Sequence, residues 1–158
     1  MARVYEETLT YEWWTHVPLD AMWAYIQDQE AQVRFDPRVL SLTVTQGVWG
    51  KEGSVMLMAG TDASGKLVSV ESELVAVDPP RSYTTRHVLP DVTTTTTVGT
   101  EAADGGTAVR FTVAYVTRPA NWLERAVLRS QEASRQVQLE AEAHAAKQAV
   151  EAYYAARP

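Results

Sequence analysis

The chain contains no cysteine, which excludes disulfides, thiolate metal sites and thiol nucleophiles together. It has no apolar run approaching the about 18 residues that a membrane-crossing helix needs. Lysine and arginine are nowhere concentrated, and the formal charge is −6. That balance argues against nucleic acid and against anionic membrane surfaces as partners, unless a local basic patch escapes the count. The opening residues MARVYEETLTYEWW lack the charged-then-apolar layout of a signal peptide, so a cytoplasmic location is the default expectation.

What remains is an ordinary globular balance, 158 residues of which 46% are hydrophobic and 22% charged. One domain over 1–158 is expected, long enough to bury a core without staples. Residues 3–15, RVYEETLTYEWWT, alternate, with Tyr5, Leu9, Tyr11 and Trp13 on one face and Glu7 among them. This period of two predicts a half-buried strand. The segment VPLDAMWAYIQD follows, with proline opening a helix that carries Met22, Trp23 and Ile26 at helical spacing. A second short helix is expected over Glu30–Arg34, stopped by FDP.

Six further strands are predicted at 38–49, 53–60, 66–77, 81–89, 92–101 and 107–117, separated by WGKEG, GTDASGK, DPPR, LPD and ADGG. Connections this short join antiparallel neighbours, because a parallel crossover needs about a dozen residues. Residues 119–156 then contain no glycine and much alanine, glutamate and glutamine, which predicts one helix of roughly 35 residues. Its expected inward stripe runs Leu123, Val127, Ser130, Ser134, Val137, Ala141, His144. Such a helix outreaches a small sheet, leaving its end to project or to pack on a partner, a homodimer being one arrangement.

The run VTTTTTV at 92–98 sets the central question, since a strand of threonines places hydroxyls on both faces. With two-residue turns at Pro90-Asp91 and Asp104-Gly105, His87, Thr94 and Tyr115 fall in one row. Thr85, Thr96 and Val113 form the next row, and Tyr83, Val98 and Phe111 the one after. The other face carries Arg86, Thr93, Thr95, Thr97 and Arg110, a solvent face. Buried hydroxyls without partners cost about 1–3 kcal/mol each, so the inner threonines are expected to face water or a ligand. Small residues on the helix, Ser130, Ala133, Ser134, Ala141 and Ala145, are expected to leave room for that space.

The order of elements, with VPLDAMWAYIQD, FDPRVLS, VDPPRSY and GGTAVRFTVAY as its signposts, resembles the START-like, helix-grip (SRPBCC) superfamily over nearly the whole chain. That group includes polyketide cyclases, pollen-allergen-type binders and lipid-transfer domains. The resemblance implies an α+β fold with a curved seven-stranded sheet wrapped on a C-terminal helix. It also implies a hydrophobic cavity for a lipid-, isoprenoid- or polyketide-like molecule. The chain departs from the subfamilies with transferable chemistry: FDP stands where aromatase/cyclases often carry tryptophan-proline, so no catalytic residue is carried over by motif.

Candidate residues are therefore weighed on their own chemistry. Glu7, if buried, would have acid or base potential; the alternative is a carboxylate wetted at the sheet's end or paired to an arginine. His87 is a candidate base or a core histidine bonded to a strand neighbour. Tyr115 would be a third proton carrier. Tyr11, Tyr83 and Tyr115 suit ligand positioning by an apolar ring with a polar tip, though each fits an ordinary core as well. Thr85, Thr94, Thr96 and Phe111 complete the expected lining from the sheet, and Ser134 and His144 from the helix. Trp49 and Trp122 are placed at loop or helix mouths, and the other tryptophans in packing. Two histidines without a third ligand do not make a metal site, and no cofactor is expected.

Three uses follow. The leading one is binding of a hydrophobic or aromatic small molecule; the second is polyketide cyclase, aromatase or dehydratase chemistry in the same cavity. The third is protein interaction without a ligand.

Overall fold

Alternation over thirteen positions makes the first strand, β1 (Arg3–Thr15), and proline then turns the chain into helix. The structure, a computed structural model, describes residues 3–62 and 64–157. Ala63, in the expected GTDASGK turn, lies outside the described residues, as do the first two residues and the last. After β1 come α1 (Leu19–Ile26), α2 (Gln29–Phe35), β2 (Val39–Gln46), β3 (Val55–Thr61) and β4 (Leu67–Asp78). Then follow β5 (Ser82–Val88), β6 (Val92–Ala103), β7 (Gly106–Ala120), α3 (Trp122–Ser130) and α4 (Glu132–Ala155). The strands form one antiparallel sheet in the order β1-β7-β6-β5-β4-β3-β2, the helix-grip arrangement.

Local chemistry fixes the junctions. Pro18 stands at the N-cap of α1, where its missing N–H costs nothing. The Asp28 carboxylate accepts from the Ala31 amide at 3.0 Å and starts α2. Asp36, in the FDP segment, ends it and turns the chain by accepting from the Arg38 amide at 3.0 Å and from its Nε at 3.1 Å. Between β6 and β7, Asp104 (φ 52°) and Gly105 (φ 78°) are both left-handed, as a two-residue hairpin turn demands.

The turns set the register anticipated from the threonine run. Leu89 donates to the Val92 carbonyl at 2.9 Å; His87 lies opposite Thr94 and Thr94 opposite Tyr115. Thr85, Thr96 and Val113 share the next row, and Tyr83, Val98 and Phe111 the next. β1 extends the rows, placing Glu7 beside Tyr115 and Tyr11 beside Phe111. On the outer face Arg86 pairs with Glu73 and Arg110 with Glu12, exposed ion pairs that mark it as the solvent side.

The C-terminal helix departs from expectation in two ways. It is not one helix of about 35 residues: β7 continues to Ala120, and Gln131 separates α3 from α4 with φ −96° and ψ 0°. The Ser130 hydroxyl donates to the Val127 carbonyl at 2.6 Å, and Arg135 Nη2 donates to the Leu128 carbonyl at 2.8 Å. Side chains thus take up carbonyls at the end of α3, which stabilises the break. The inward face also differs in phase. Leu139, Ala143, Ala149 and Val150 are buried, whereas Leu123, Val127, Ser130, Ser134, Val137, Ala141 and His144 are all exposed. Ala149 and Val150 on this face join a core that includes Val17, Met22, Tyr25, Val98 and Val109.

Candidate functional site: a neutral recess beside a buried ion pair

Beneath α1 and α2 the sheet leaves a recess of about 260 Å³. Its aromatic walls are Trp23 from α1, Trp49 from the β2–β3 connection and Tyr83 from β5. Met56, Leu74, Val77 and Val98 add apolar surface from β3, β4 and β6, and Thr85, Thr96 and Ser72 contribute hydroxyls. None of its lining side chains is charged. Such a mixture of apolar surface and a few placed polar groups is the usual composition of a small-molecule site.

The aromatic walls are held by hydrogen bonds at their rims. Trp23 Nε1 donates to the Thr100 hydroxyl at 2.9 Å, and that hydroxyl donates to the Pro80 carbonyl at 2.7 Å. Trp49 Nε1 donates to the Gln27 carbonyl at 2.8 Å, tying the β2–β3 connection to the end of α1. Tyr83 meets the Trp23 ring edge-on, with centroids 6.1 Å apart. Burial pushes its hydroxyl up to about 12, so it stays a neutral donor throughout the physiological range.

Farther along the inner face lies a charged cluster. Glu7 and Arg135 form an ion pair in which 8% of the Glu7 side chain and 16% of the Arg135 side chain is exposed. The Tyr5 hydroxyl donates to Glu132 at 2.5 Å and lies 3.2 Å from Glu7 Oε2. It is pushed up to about 12, by burial first and then by the bond to Glu132. The guanidinium stands 5.9 Å from the centre of the Tyr115 ring, an arrangement in which cation and ring face attract. Burial raises the Tyr115 hydroxyl, helped by the Glu142 carboxylate and opposed by Arg135. The cluster fastens the first turns of α4 to β1.

Three of the expected lining residues, Tyr83, Thr85 and Thr96, do line the recess. The others do not. Phe111 packs edge-on against Trp13 at 5.7 Å, and Tyr11 neighbours it on β1. His87, Thr94 and Tyr115 are half-buried in their row beyond the recess, and the His87 Nδ1–H donates to the Glu71 carbonyl at 2.5 Å. Ser134 and His144 are exposed on α4 and face away from the buried seam, so the helix contributes neither to the recess. The helical side of this recess comes from α1 and α2, with Trp23, Ile26, Gln27 and Gln32 in its lining, and not from the C-terminal helix. Glu7 takes the alternative foreseen for it, paired to an arginine.

Trp49, expected at a loop or helix mouth, lines the recess, as do Trp23, expected only in packing, and Met56 and Leu74, which the sequence reading did not single out for a site. Simple row pairing from β5 would not have reached the last two: Leu74 lies opposite Thr85 only because the register shifts between Leu74 and Ala76, and Met56 lies opposite Ser72 rather than Leu74. Arg135 was missed because the assumed helix phase put Ser134 inward instead. Among the described residues no grouping of histidine and carboxylate side chains could hold a metal ion.

Residues 9–151 match the family described as polyketide cyclase / dehydrase and lipid transport. The chain belongs to that family. No curated protein matches it by sequence. Among solved structures it is similar to Ara h 8.0201, at 19% identity and a TM-score of 0.71 over 97% of this chain and 100% of that one. It is similar to the di-domain ARO/CYC BexL from the BE-7585A biosynthetic pathway, at 18% identity and a TM-score of 0.72, over 97% of this chain and 51% of that one. The Zhui aromatase/cyclase from Streptomyces sp. R1128 aligns at 16% identity and a TM-score of 0.68 over 92% of each chain. At these identities the structural likeness speaks for the fold alone.

Proposed function

We propose that this protein binds an uncharged hydrophobic molecule, aromatic or lipid-like and carrying a few oxygen substituents, in the recess under α1 and α2. One observation carries the reading: tryptophan, tyrosine and aliphatic walls interleaved with hydroxyls, and no charged lining side chain. A carboxylate or phosphate held there would lose its hydration without gaining a counter-ion, a penalty of several kcal/mol. A neutral ring system loses little and gains apolar burial at roughly 25 cal/mol per Å². Membership in the family, and the aromatase/cyclases among the similar structures, support a ligand of the polyketide or lipid kind.

The cyclase reading rests on the same relatives. Its candidate proton carriers stand outside the recess, and Glu7 is held by Arg135. Chemistry there would fall to His87 through its free Nε2, or to the Tyr115 hydroxyl. Binding without chemistry is therefore the better-supported use, and turnover that is lost in His87→Ala with affinity intact would reverse that order.

Native mass spectrometry of the freshly purified protein tests the reading. The expected spectrum contains a species heavier than the bare chain by the mass of an uncharged organic molecule, which is released on unfolding. The bare mass alone, persisting after incubation with a neutral lipid extract, would contradict it.

A further inference from the structure

The donors around the recess divide into two sets. Both indole N–H groups are spent on the rim, Trp23 on the Thr100 hydroxyl and Trp49 on the Gln27 carbonyl. The Gln32 amide donates to the Ile26 carbonyl at 2.7 Å. These three bonds hold walls in place.

The hydroxyls of the sheet are different. Tyr83 and Thr85 are two residues apart on β5 and share its inner face, and Thr96 lies directly opposite Thr85 on β6. Among the described residues none of these three hydroxyls has a hydrogen-bond partner, whereas Thr84 and Thr97, on the outer face, bond to each other at 3.1 Å. Burial alone raises the Tyr83 hydroxyl, with no hydrogen bond contributing. The sealed polar atoms without partners lie elsewhere, on Glu7, Trp13 and Arg135, so these hydroxyls are unpaired while facing open space. Opposed side chains stand about 5 Å apart and the next row about 7 Å along the strand. The sheet thus offers one patch of free, neutral hydroxyls, flanked by Leu74 and faced by Trp23 and Ile26 from α1.

Volume sets the size of what can sit there. A cavity of about 150 Å³ takes benzene, and drug-sized ligands occupy sites of about 300–1,000 Å³. At about 260 Å³ the recess falls between the two. It has room for roughly two or three small rings and too little for four fused rings or a long acyl chain.

We propose that the recess selects a compact, neutral two- or three-ring molecule bearing a carbonyl or ether oxygen, with that oxygen seated on the hydroxyls of Tyr83, Thr85 and Thr96. Such seating rests on the recess being a neutral-ligand site, as proposed above, and narrows that site to small ring systems, leaving out long-chain lipids. Tyr83 is the donor that reads the oxygen, because its hydroxyl has no other partner and its ring is fixed against Trp23.

Displacement of bound N-phenylnaphthylamine by neutral competitors tests this. The competitors are 1-tetralone, tetralin (the same rings without the oxygen), progesterone and 1-hexadecanol. Tyr83→Phe should weaken 1-tetralone about fivefold, the weight of one neutral hydrogen bond, and leave tetralin within twofold of its wild-type affinity. Thr85→Val with Thr96→Val, close to the parent in shape, should act in the same direction. Progesterone and 1-hexadecanol should each displace the dye at least tenfold less well than 1-tetralone. Equal losses for 1-tetralone and tetralin, no loss in any variant, or displacement by 1-hexadecanol or progesterone as good as by 1-tetralone would overturn the proposal while leaving a hydrophobic site in place. A wild-type protein that takes up neither dye nor competitor would remove that site, and this selection with it.

Discussion

Single side chains decide what the two halves of the inner face can do. Around the recess each polar atom is neutral, and Tyr83, held near 12, remains so. Around Glu7 the opposite holds: a carboxylate and a guanidinium are withdrawn from water and paired, while Glu7 Oε1 and Arg135 Nε are buried without a hydrogen-bond partner. Removing one partner of such a pair leaves a buried charge uncompensated, whereas replacing both can be nearly neutral. Glu7→Gln should therefore lower unfolding stability by about 3 kcal/mol, and Glu7→Gln with Arg135→Met by distinctly less. Urea unfolding of the two singles and the double decides this; additive losses would show that the pair is not coupled.

At the scale of elements, the strands were readable because their side-chain period is two and their turns are short. Fixing Pro90-Asp91 and Asp104-Gly105 determined every row from β5 to β7, down to His87 opposite Thr94. α4 offered no comparable clue. Alanines at 133, 141, 143, 145, 146 and 149 are spread round its circumference, so apolar contrast does not choose a face, and a phase built on Ser134 and His144 reads as well as one built on Leu139. The break at Gln131 was equally hidden, because it depends on Arg135 and Ser130 finding carbonyls of α3. The corrected phase makes a prediction. Leu139, 3% exposed, should cost about 2–5 kcal/mol when truncated to alanine. Ser134→Ala and His144→Ala should stay within about 0.5 kcal/mol of the parent by the same denaturation measurement.

For the molecule as a whole, the fold could be inferred from the order of its elements, and the recess only in part. The threonine row pointed correctly to polar groups on the concave side, and Thr85 and Thr96 are among them. The part α1 plays in the lining was hidden because α1 looked like packing, and its Trp23 is buried and packs on Tyr83 while also forming a wall of the recess. Small helices between the first two strands supply the helical lining of the recess.

The central claim is that this space accepts neutral molecules and refuses charged ones. Fluorescence titration with two dyes of similar ring size tests it most directly, uncharged N-phenylnaphthylamine against anionic anilinonaphthalene sulfonate. The account predicts that the uncharged dye binds at least tenfold more tightly and that Leu74→Trp, which fills the recess, abolishes its signal. Equal affinity for the anionic dye, or undiminished uptake by the filled variant, would contradict it.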